Sequence, residues 1–454
     1  MEKSKKIDFS IDKNQLRSKT VIMQRKIDSE LLAWKNNKSR KPLILYGTRQ
    51  VGKTYSLAAF AKEHFDNVVY LNMEIETALH DFLNGDISPK RIIQHLELLK
   101  KQKITDKSLI FFDEIQACAR ALTSLKYFCE QTPEYHVAAA GSLLGVAVNR
   151  EKYSFPVGKV DELTMFPLDF EEFLWAHGYK NLAEEIKNHY DCNEPIHTAL
   201  HVLALDLYKK YLVVGGMPAA VKSFVETESF LSAQTIQHHI LNEYVADMSK
   251  YADPTTSVRI RACYNSIPAQ LAKENRKFQY KIVQKGGTAT IFGESIEWLH
   301  FAGTVLKCQK ISEGIIPISV YAYFPDFKLY MSDVGLLTLK SRLPAEMLVS
   351  ENNEGNSFMG LVTENYVAQA FAANRIPLFY WKNDNTAEVD FVLQKGVDVI
   401  PVEVKRGIHT RSKSMHIFAK KYDCPHAIRI SQKNFGFENG IKSVPLYAVF
   451  CINT

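Results

Sequence analysis

The chain has 454 residues, 46% hydrophobic and 23% charged, the composition of an ordinary globular protein of two to four domains, with no low-complexity tract or internal repeat. Its 56 basic and 50 acidic residues leave a net charge of +6, which permits a nucleic-acid partner without demanding one. Seven scattered cysteines, an odd number with no C-x-x-C pair, argue against a disulfide framework or zinc knuckle. The start, MEKSKKIDFS, lacks the apolar core of a secretory signal, and the most apolar stretch, VAAAGSLLGVAV, is too short to span a bilayer. The expectation is a cytoplasmic protein without a membrane partner.

After an N-terminal segment (1–40), Leu43–Tyr46 reads as a short apolar strand. Gly47-Thr-Arg-Gln-Val-Gly52-Lys53-Thr54 follows, a full match to G-x-x-x-x-G-K-[ST], and then a helix through Leu57, Ala58, Phe60 and Ala61. Glycines let such a loop turn its N–H groups around phosphate oxygens, with the helix dipole behind them. Lys53 is expected to reach the β- and γ-phosphates of ATP and Thr54 to ligate Mg²⁺. NVVYLNMEI reads as the strand beside the loop-bearing strand. Leu109–Phe112 reads as a buried parallel strand ending in Asp113, for the Mg²⁺ shell, and Glu114, to polarise the attacking water. EYHVAAAGSLLG adds a core strand whose tip, Ser142, is positioned to sense the γ-phosphate or simply to turn the chain. Arg49, Arg120, Arg150 and Lys159 are the candidates for a catalytic arginine or its substitute, and none stands out. These elements predict an α/β P-loop NTPase core with a parallel sheet over 41–180.

PLDFEEFLWAHG predicts a loop and a helix burying Phe170, Phe173, Leu174 and His177. Helical patterns over 181–254, broken at the GGMP of 215–218, predict a helical lid. Within 255–340, IPAQLAKEN reads as a short helix. ATIFGESIEWLHFAGTVLKCQKI reads as a longer one, with Ile291, Ile296, Leu299 and Val305 spaced for burial, and strands follow. That order resembles a winged helix, although Glu294, Glu297 and His300 are poor company for phosphates.

Over 341–454, GLVTENYVAQAF is a helix burying Leu361, Val367, Ala368 and Phe371, with Glu364 near its start. AEVDFVLQKGVDVIPVEVKRG reads as two strands. Alternation puts Glu388, Asp390 and Val392 on one face of the first, and Glu403 and Lys405 on one face of the second. An E…D…E-x-K set suits a divalent cation held by Asp390 and Glu403, with Glu364 approaching from the helix and Lys405 orienting water or phosphate. The opposing reading is a pair of surface salt bridges on an edge hairpin. Basic residues downstream, among them Arg406, Arg411, Lys413, Lys420 and Lys421, suit either a phosphate path or a solvated helix face.

In order and spacing, GTRQVGKT, FFDEIQ, MFPLDFEEFL, YLVVGGMPAAV, KLYMSDVGLL, GLVTENYVAQAF, YWKNDNTAEVDFVL and IPVEVKRG resemble the bacterial and archaeal AAA-type ATPases with a C-terminal domain of unknown function. The resemblance covers about residues 20 to 430. It implies ATP binding and a C-terminal restriction-endonuclease-like module, and no settled biological role. In such relatives an arginine often stands where this chain has Lys159. Two functional expectations follow. One is an ATPase coupled to a metal-dependent nuclease acting on DNA or RNA, with Glu114, Glu364, Asp390, Glu403 and Lys405 catalytic and Gly47, Gly52, Lys53, Thr54, Asp113 and Ser142 holding nucleotide and Mg²⁺. The other is a nucleotide-dependent module that engages a partner protein while the nuclease-like carboxylates stay inert. Assembly into an oligomer is compatible with both.

Overall fold

The structure is a computed structural model, and it describes residues 23–142, 155–250, 252–273, 276–350, 357–383, 387–407 and 413–453. Five strands form the first sheet: β1 (Leu43–Tyr46), β2 (Asn67–Asn72), β3 (Ser108–Asp113), β4 (His136–Ala140) and β5 (Asp161–Thr164). All pair in parallel, in the order β2-β3-β4-β1-β5. Alternate residues feed two cores, as a sheet covered on both faces requires. Ile44, Leu71, Ile110 and Phe112 pack with Leu83, Leu96 and Leu125 on one side. Leu43, Leu45, Leu109 and Phe111 pack with Trp34, Leu57 and Phe60 on the other. NVVYLN does not lie beside β1 as expected. It forms the sheet edge next to β3, because β4 inserts between β3 and β1.

The segment Phe170–Ala176 is helical and starts with a capping box between Asp169 and Glu172. Phe170, Phe173 and Leu174 are buried as predicted, while His177 is half-buried at the C-cap. Helices Lys180–Cys192, Thr198–Val214, Pro218–Thr227 and Phe230–Lys250 follow, broken at the Gly-Gly-Met-Pro turn as predicted. Next come helices Pro254–Leu271, Tyr280–Val283 and Ala289–Phe301, then β6 (Val305–Ile311) and β7 (Ala322–Met331). The helix expected to run through Val305 ends at Phe301, and Val305 opens β6; Ile291 is 38% exposed rather than buried.

β6 and β7 pair antiparallel, but they are not a free wing. β6 also pairs in parallel with β8 (Phe379–Lys382), and β8 with β9 (Glu388–Val389). The last sheet has the order β10-β11-β12-β14-β13, from β10 (Phe391–Lys395), β11 (Asp398–Val404), β12 (Ala427–Ser431), β13 (Gly436–Glu438) and β14 (Ile441–Pro445). A single buried cluster joins Leu168 to Ile452 and takes in residues from the helices between Lys180 and Phe301 and from helix Ser357–Ala373. No helix among the described residues is long and apolar enough to cross a membrane.

Candidate active site

Gly47 and Gly52 have φ of +148° and +98°, and a Cβ on Gly47 would lie 2.4 Å from the Met165 carbonyl oxygen. Both glycines are therefore required where the loop turns between β1 and helix Lys53–His64. Lys53 is buried, and its ammonium donates to the Gly47 and Thr48 carbonyls at 2.8 and 2.9 Å. Burial brings its pKa down to about 8, against the pull of Glu114 and Asp113. The Thr54 hydroxyl lies 3.0 and 3.2 Å from the two Asp113 oxygens, and Tyr70 donates its hydroxyl to Asp113 at 2.8 Å. Burial raises the pKa of Asp113, with the Tyr70 and Thr54 hydrogen bonds acting the other way. A cation beside this carboxylate would restore its charged form.

Glu114 sits in the left-handed region, with φ of +49°. For a non-glycine residue this costs about 1–3 kcal/mol, and such conformations cluster at functional positions. Gln116 donates to Glu114 Oε2 at 2.5 Å, and Ser142 Oγ does so at 3.4 Å. Thus the tips of β1, β3 and β4 bring Lys53, Thr54, Asp113, Glu114 and Ser142 to one edge. A cavity of about 410 Å³ opens there beside Gly47, Thr48 and Ser142, walled on the other side by His300 and Leu306.

Three groups that sequence reasoning passed over hold the loop of this site, and a fourth, Asp333, holds the Gly216 turn. Arg25, only 6% exposed, donates to the Val51 carbonyl at 3.0 Å and the Phe166 carbonyl at 2.7 Å, and pairs with Glu172 at 3.0 Å. Tyr244 accepts from Thr48 Oγ1 at 3.1 Å and donates to the Arg49 carbonyl at 3.3 Å. Asp247 pairs with Arg49 at 2.8 Å. Asp333 accepts from the Gly216 N–H at 2.6 Å and the Leu336 N–H at 2.9 Å, and burial raises its pKa to about 6. Apart from the local N-cap that Asp333 makes to Leu336, these are long-range contacts for which no local pattern exists. Among the arginine candidates, Arg120 donates to the Leu83 carbonyl and Lys159 pairs with Glu130 at 2.9 Å; Arg150 lies outside the described residues.

The C-terminal carboxylates are placed differently from expectation. Glu364 is buried, but it meets Arg276, accepts from Tyr330 at 2.5 Å and pairs with Lys328 at 3.1 Å. Residues 388–392 are not one strand: the chain passes from the β8–β9 pair to the β10–β11 pair at Asp390. Val389 and Val392 therefore share a core, while Phe391 faces another. Asp390 Oδ2 accepts the Val404 N–H at 2.8 Å, and Lys405 pairs with Glu403 at 2.9 Å, the shared face expected of that pair. The expected convergence of Glu364, Asp390 and Glu403 is absent: among the described residues no three His, Cys, Asp or Glu side chains gather for a metal ion. Arg276 and Lys328 have taken up the Glu364 charge instead. Of the downstream basic residues, Lys421 pairs with Glu313 at 3.2 Å, and Arg411 lies outside the described residues.

Glu388 joins this network through Lys328 at 2.8 Å and Lys382 at 2.9 Å. Burial would raise its pKa, but the two lysines prevail and bring it down to about 2. A depressed carboxylate stabilises the fold above its unfolded pKa, and that contribution is lost as pH falls through the folded one. Glu388→Gln is expected to cost about 3 kcal/mol at pH 7 and roughly half that by pH 3. Urea unfolding of both proteins at the two pH values checks this; a pH-independent difference would count against the pairing.

Residues 39–174 match a family model described as an AAA domain. Residues 205–346 and 359–449 match two models described as domains of unknown function. An uncharacterized protein of Methanocaldococcus jannaschii, MJ1544, is 26% identical over 249 residues, 53% of this chain and 47% of its own, so the match spans about half the length of that curated relative. Among solved structures, the Walker-type ATPase PABY2304 of Pyrococcus abyssi is similar at a TM-score of 0.44 and 15% identity, covering 70% of this chain and 96% of that one. The Aeropyrum pernix ORC2 protein, solved as ADPNP–ADP complexes, is similar at 0.35 and 12%, covering 76% and 95%. The AAA-domain match ends at the helix that follows β5 and takes in every nucleotide-site residue predicted from the sequence.

Proposed function

We propose that this protein binds ATP with Mg²⁺ and hydrolyses it at the C-terminal edge of the first sheet. The observation that carries this reading is the meeting, from three strands, of Lys53, the Thr54–Asp113 pair and the Glu114–Ser142 pair. Thr54 and Asp113 would hold Mg²⁺, which supplies charge neutralisation on the β- and γ-phosphates. Lys53 exchanges its two loop carbonyls for phosphate oxygens. Glu114 accepts a hydrogen bond from the attacking water and draws off its proton, and Ser142 keeps that carboxylate turned toward the site. Lys53→Ala removes charge-assisted bonds of about 1.5–3 kcal/mol each, so ATP binding is expected to weaken about a hundredfold or more. Calorimetric titration with ATP and Mg²⁺ checks this, and wild-type affinity in the variant would refute the site.

For the C-terminal half, the ion pairs around Glu364 favour a nucleotide-dependent interaction module over a nuclease. A residue meeting Arg276, Lys328 and Tyr330 is poorly placed to ligate a metal. Helix Ala289–Phe301 carries no lysine or arginine and exposes Glu294, which favours a protein over a nucleic-acid partner. Incubation with single- and double-stranded DNA and RNA, with ATP and Mg²⁺ or Mn²⁺, tests the choice. Cleavage by the wild type that Asp390→Ala and Glu403→Ala both lack would restore the nuclease.

A further inference from the structure

We propose that Arg49 is the catalytic arginine of this ATPase, acting in cis on the transferred phosphoryl group, with Asp247 as its positioning residue. The proposal rests on the ATP-hydrolysis reading. Phosphoryl transfer spreads negative charge over the departing γ-phosphoryl oxygens, and an arginine supplied beside them stabilises that state more than the ground state.

Arg49 lies in the phosphate loop itself, between Gly47 and Lys53. Its main chain is pinned by Tyr244, which donates to the Arg49 carbonyl at 3.3 Å. Its side chain is aimed by helix Phe230–Lys250, through Asp247 at 2.8 Å and Glu243 at 3.3 Å. Arg49 and Ser142 line the same small cavity, about 10 Å³, room for roughly one water. Ser142 in turn lies 3.4 Å from the Glu114 carboxylate assigned to the attacking water. The guanidinium also senses that carboxylate: burial would lower its pKa, but Asp247, Glu243 and Glu114 together hold it raised. The side chain remains 41% exposed, so it can shift onto a phosphoryl oxygen without dismantling a core. Among the described residues, the other basic side chains considered are committed elsewhere. Arg25 is buried on two carbonyls and Glu172, Arg120 is bonded to Leu83, and Lys159 is paired with Glu130.

Because Arg49 and Lys53 belong to one loop, no second subunit is needed to complete the site. The Asp247 contact gives the arrangement a further consequence. Helix Phe230–Lys250 holds the arginine through its carboxylate, so a movement of that helix relative to the loop changes the rate of hydrolysis.

The test is steady-state ATP turnover by the full chain, with ADP binding and trapping by ADP–aluminium fluoride measured in parallel. Arg49→Ala is expected to lower kcat about a thousandfold, to leave ADP affinity within about twofold and to abolish aluminium fluoride trapping. Arg49→Lys keeps the charge and loses the planar fork, and is expected to fall between the two. Asp247→Asn should lower kcat about tenfold, and adding it to Arg49→Ala should change nothing further, since a positioning residue acts only through its partner. Mixing Arg49→Ala with Glu114→Gln should restore no turnover. Recovery on mixing would show an arginine acting between subunits and overturn the cis assignment. Wild-type kcat in Arg49→Ala, or equal losses of ADP binding and kcat, would overturn the catalytic role. A wild type that binds ATP and never turns it over would remove the hydrolysis reading itself, and is separable because the Arg49 variants would then have nothing to lose.

Discussion

Glu114→Gln is expected to retain ATP binding and lose hydrolysis, with kcat lower by about 10²–10⁴-fold, the range that removal of a general base produces. Glutamine keeps the size of the side chain and an oxygen for Ser142 and Gln116, both of which bond Glu114 Oε2. It cannot draw a proton from water. The backbone at this position, held at φ of +49°, is set by the turn after β3 and not by the carboxylate, so the substitution leaves the fold in place. The binding half of the site, Lys53 with Thr54 and Asp113, is a separate set of contacts. Binding and turnover therefore come apart in this variant and fall together in Lys53→Ala. Single-turnover hydrolysis measured beside calorimetric ATP titration distinguishes the two. Undiminished turnover in Glu114→Gln would take the base role away from this residue.

The meeting of Lys53, Thr54, Asp113, Glu114 and Ser142 in the candidate site was legible because most of its residues are local in sequence. The loop, its glycines and the helix after it are consecutive, and Asp113 ends a strand whose six residues are all buried, with Glu114 directly after it. Strand order was less legible. NVVYLN carries no mark distinguishing a neighbour of β1 from a neighbour of β3; the insertion of β4 between them decides it. The C-terminal carboxylates failed for a similar reason. Period-two alternation assigns faces only while a chain stays in one sheet, and the chain changes sheets at Asp390. Glu403 and Lys405, two residues apart on one strand, met as alternation requires, whereas Glu364 was claimed by residues 34 to 88 positions away, at Tyr330, Lys328 and Arg276. A helix that carries an acid near a strand that carries another does not say which base will reach it first.

Arg25→Ala carries the largest expected effect on stability, about 3–5 kcal/mol, because it strands a buried carboxylate. Arg25 and Glu172 are each 6% exposed and pair at 3.0 Å. Glu172 also accepts the Lys26 N–H at 2.7 Å and closes the capping box with Asp169, so it cannot turn out to water without undoing the start of helix Phe170–Ala176. Two further bonds disappear, to the carbonyls of Val51 and Phe166, at about 1 kcal/mol each. Burial already raises the pKa of Glu172 while Arg25 opposes the rise, and Asp169 adds to it. Without the arginine the rise is larger. A raised carboxylate favours the fold below its unfolded pKa and loses that advantage as pH climbs through the folded one, so the variant's deficit should grow from pH 5 to pH 8. Arg25→Met combined with Glu172→Gln removes both charges and should recover a substantial part of the loss, while the Val51 carbonyl remains without its donor. Denaturant unfolding of the three proteins at both pH values measures this. A deficit below about 1 kcal/mol, or one that does not change with pH, would mean that the Glu172 carboxylate finds another partner when Arg25 is removed.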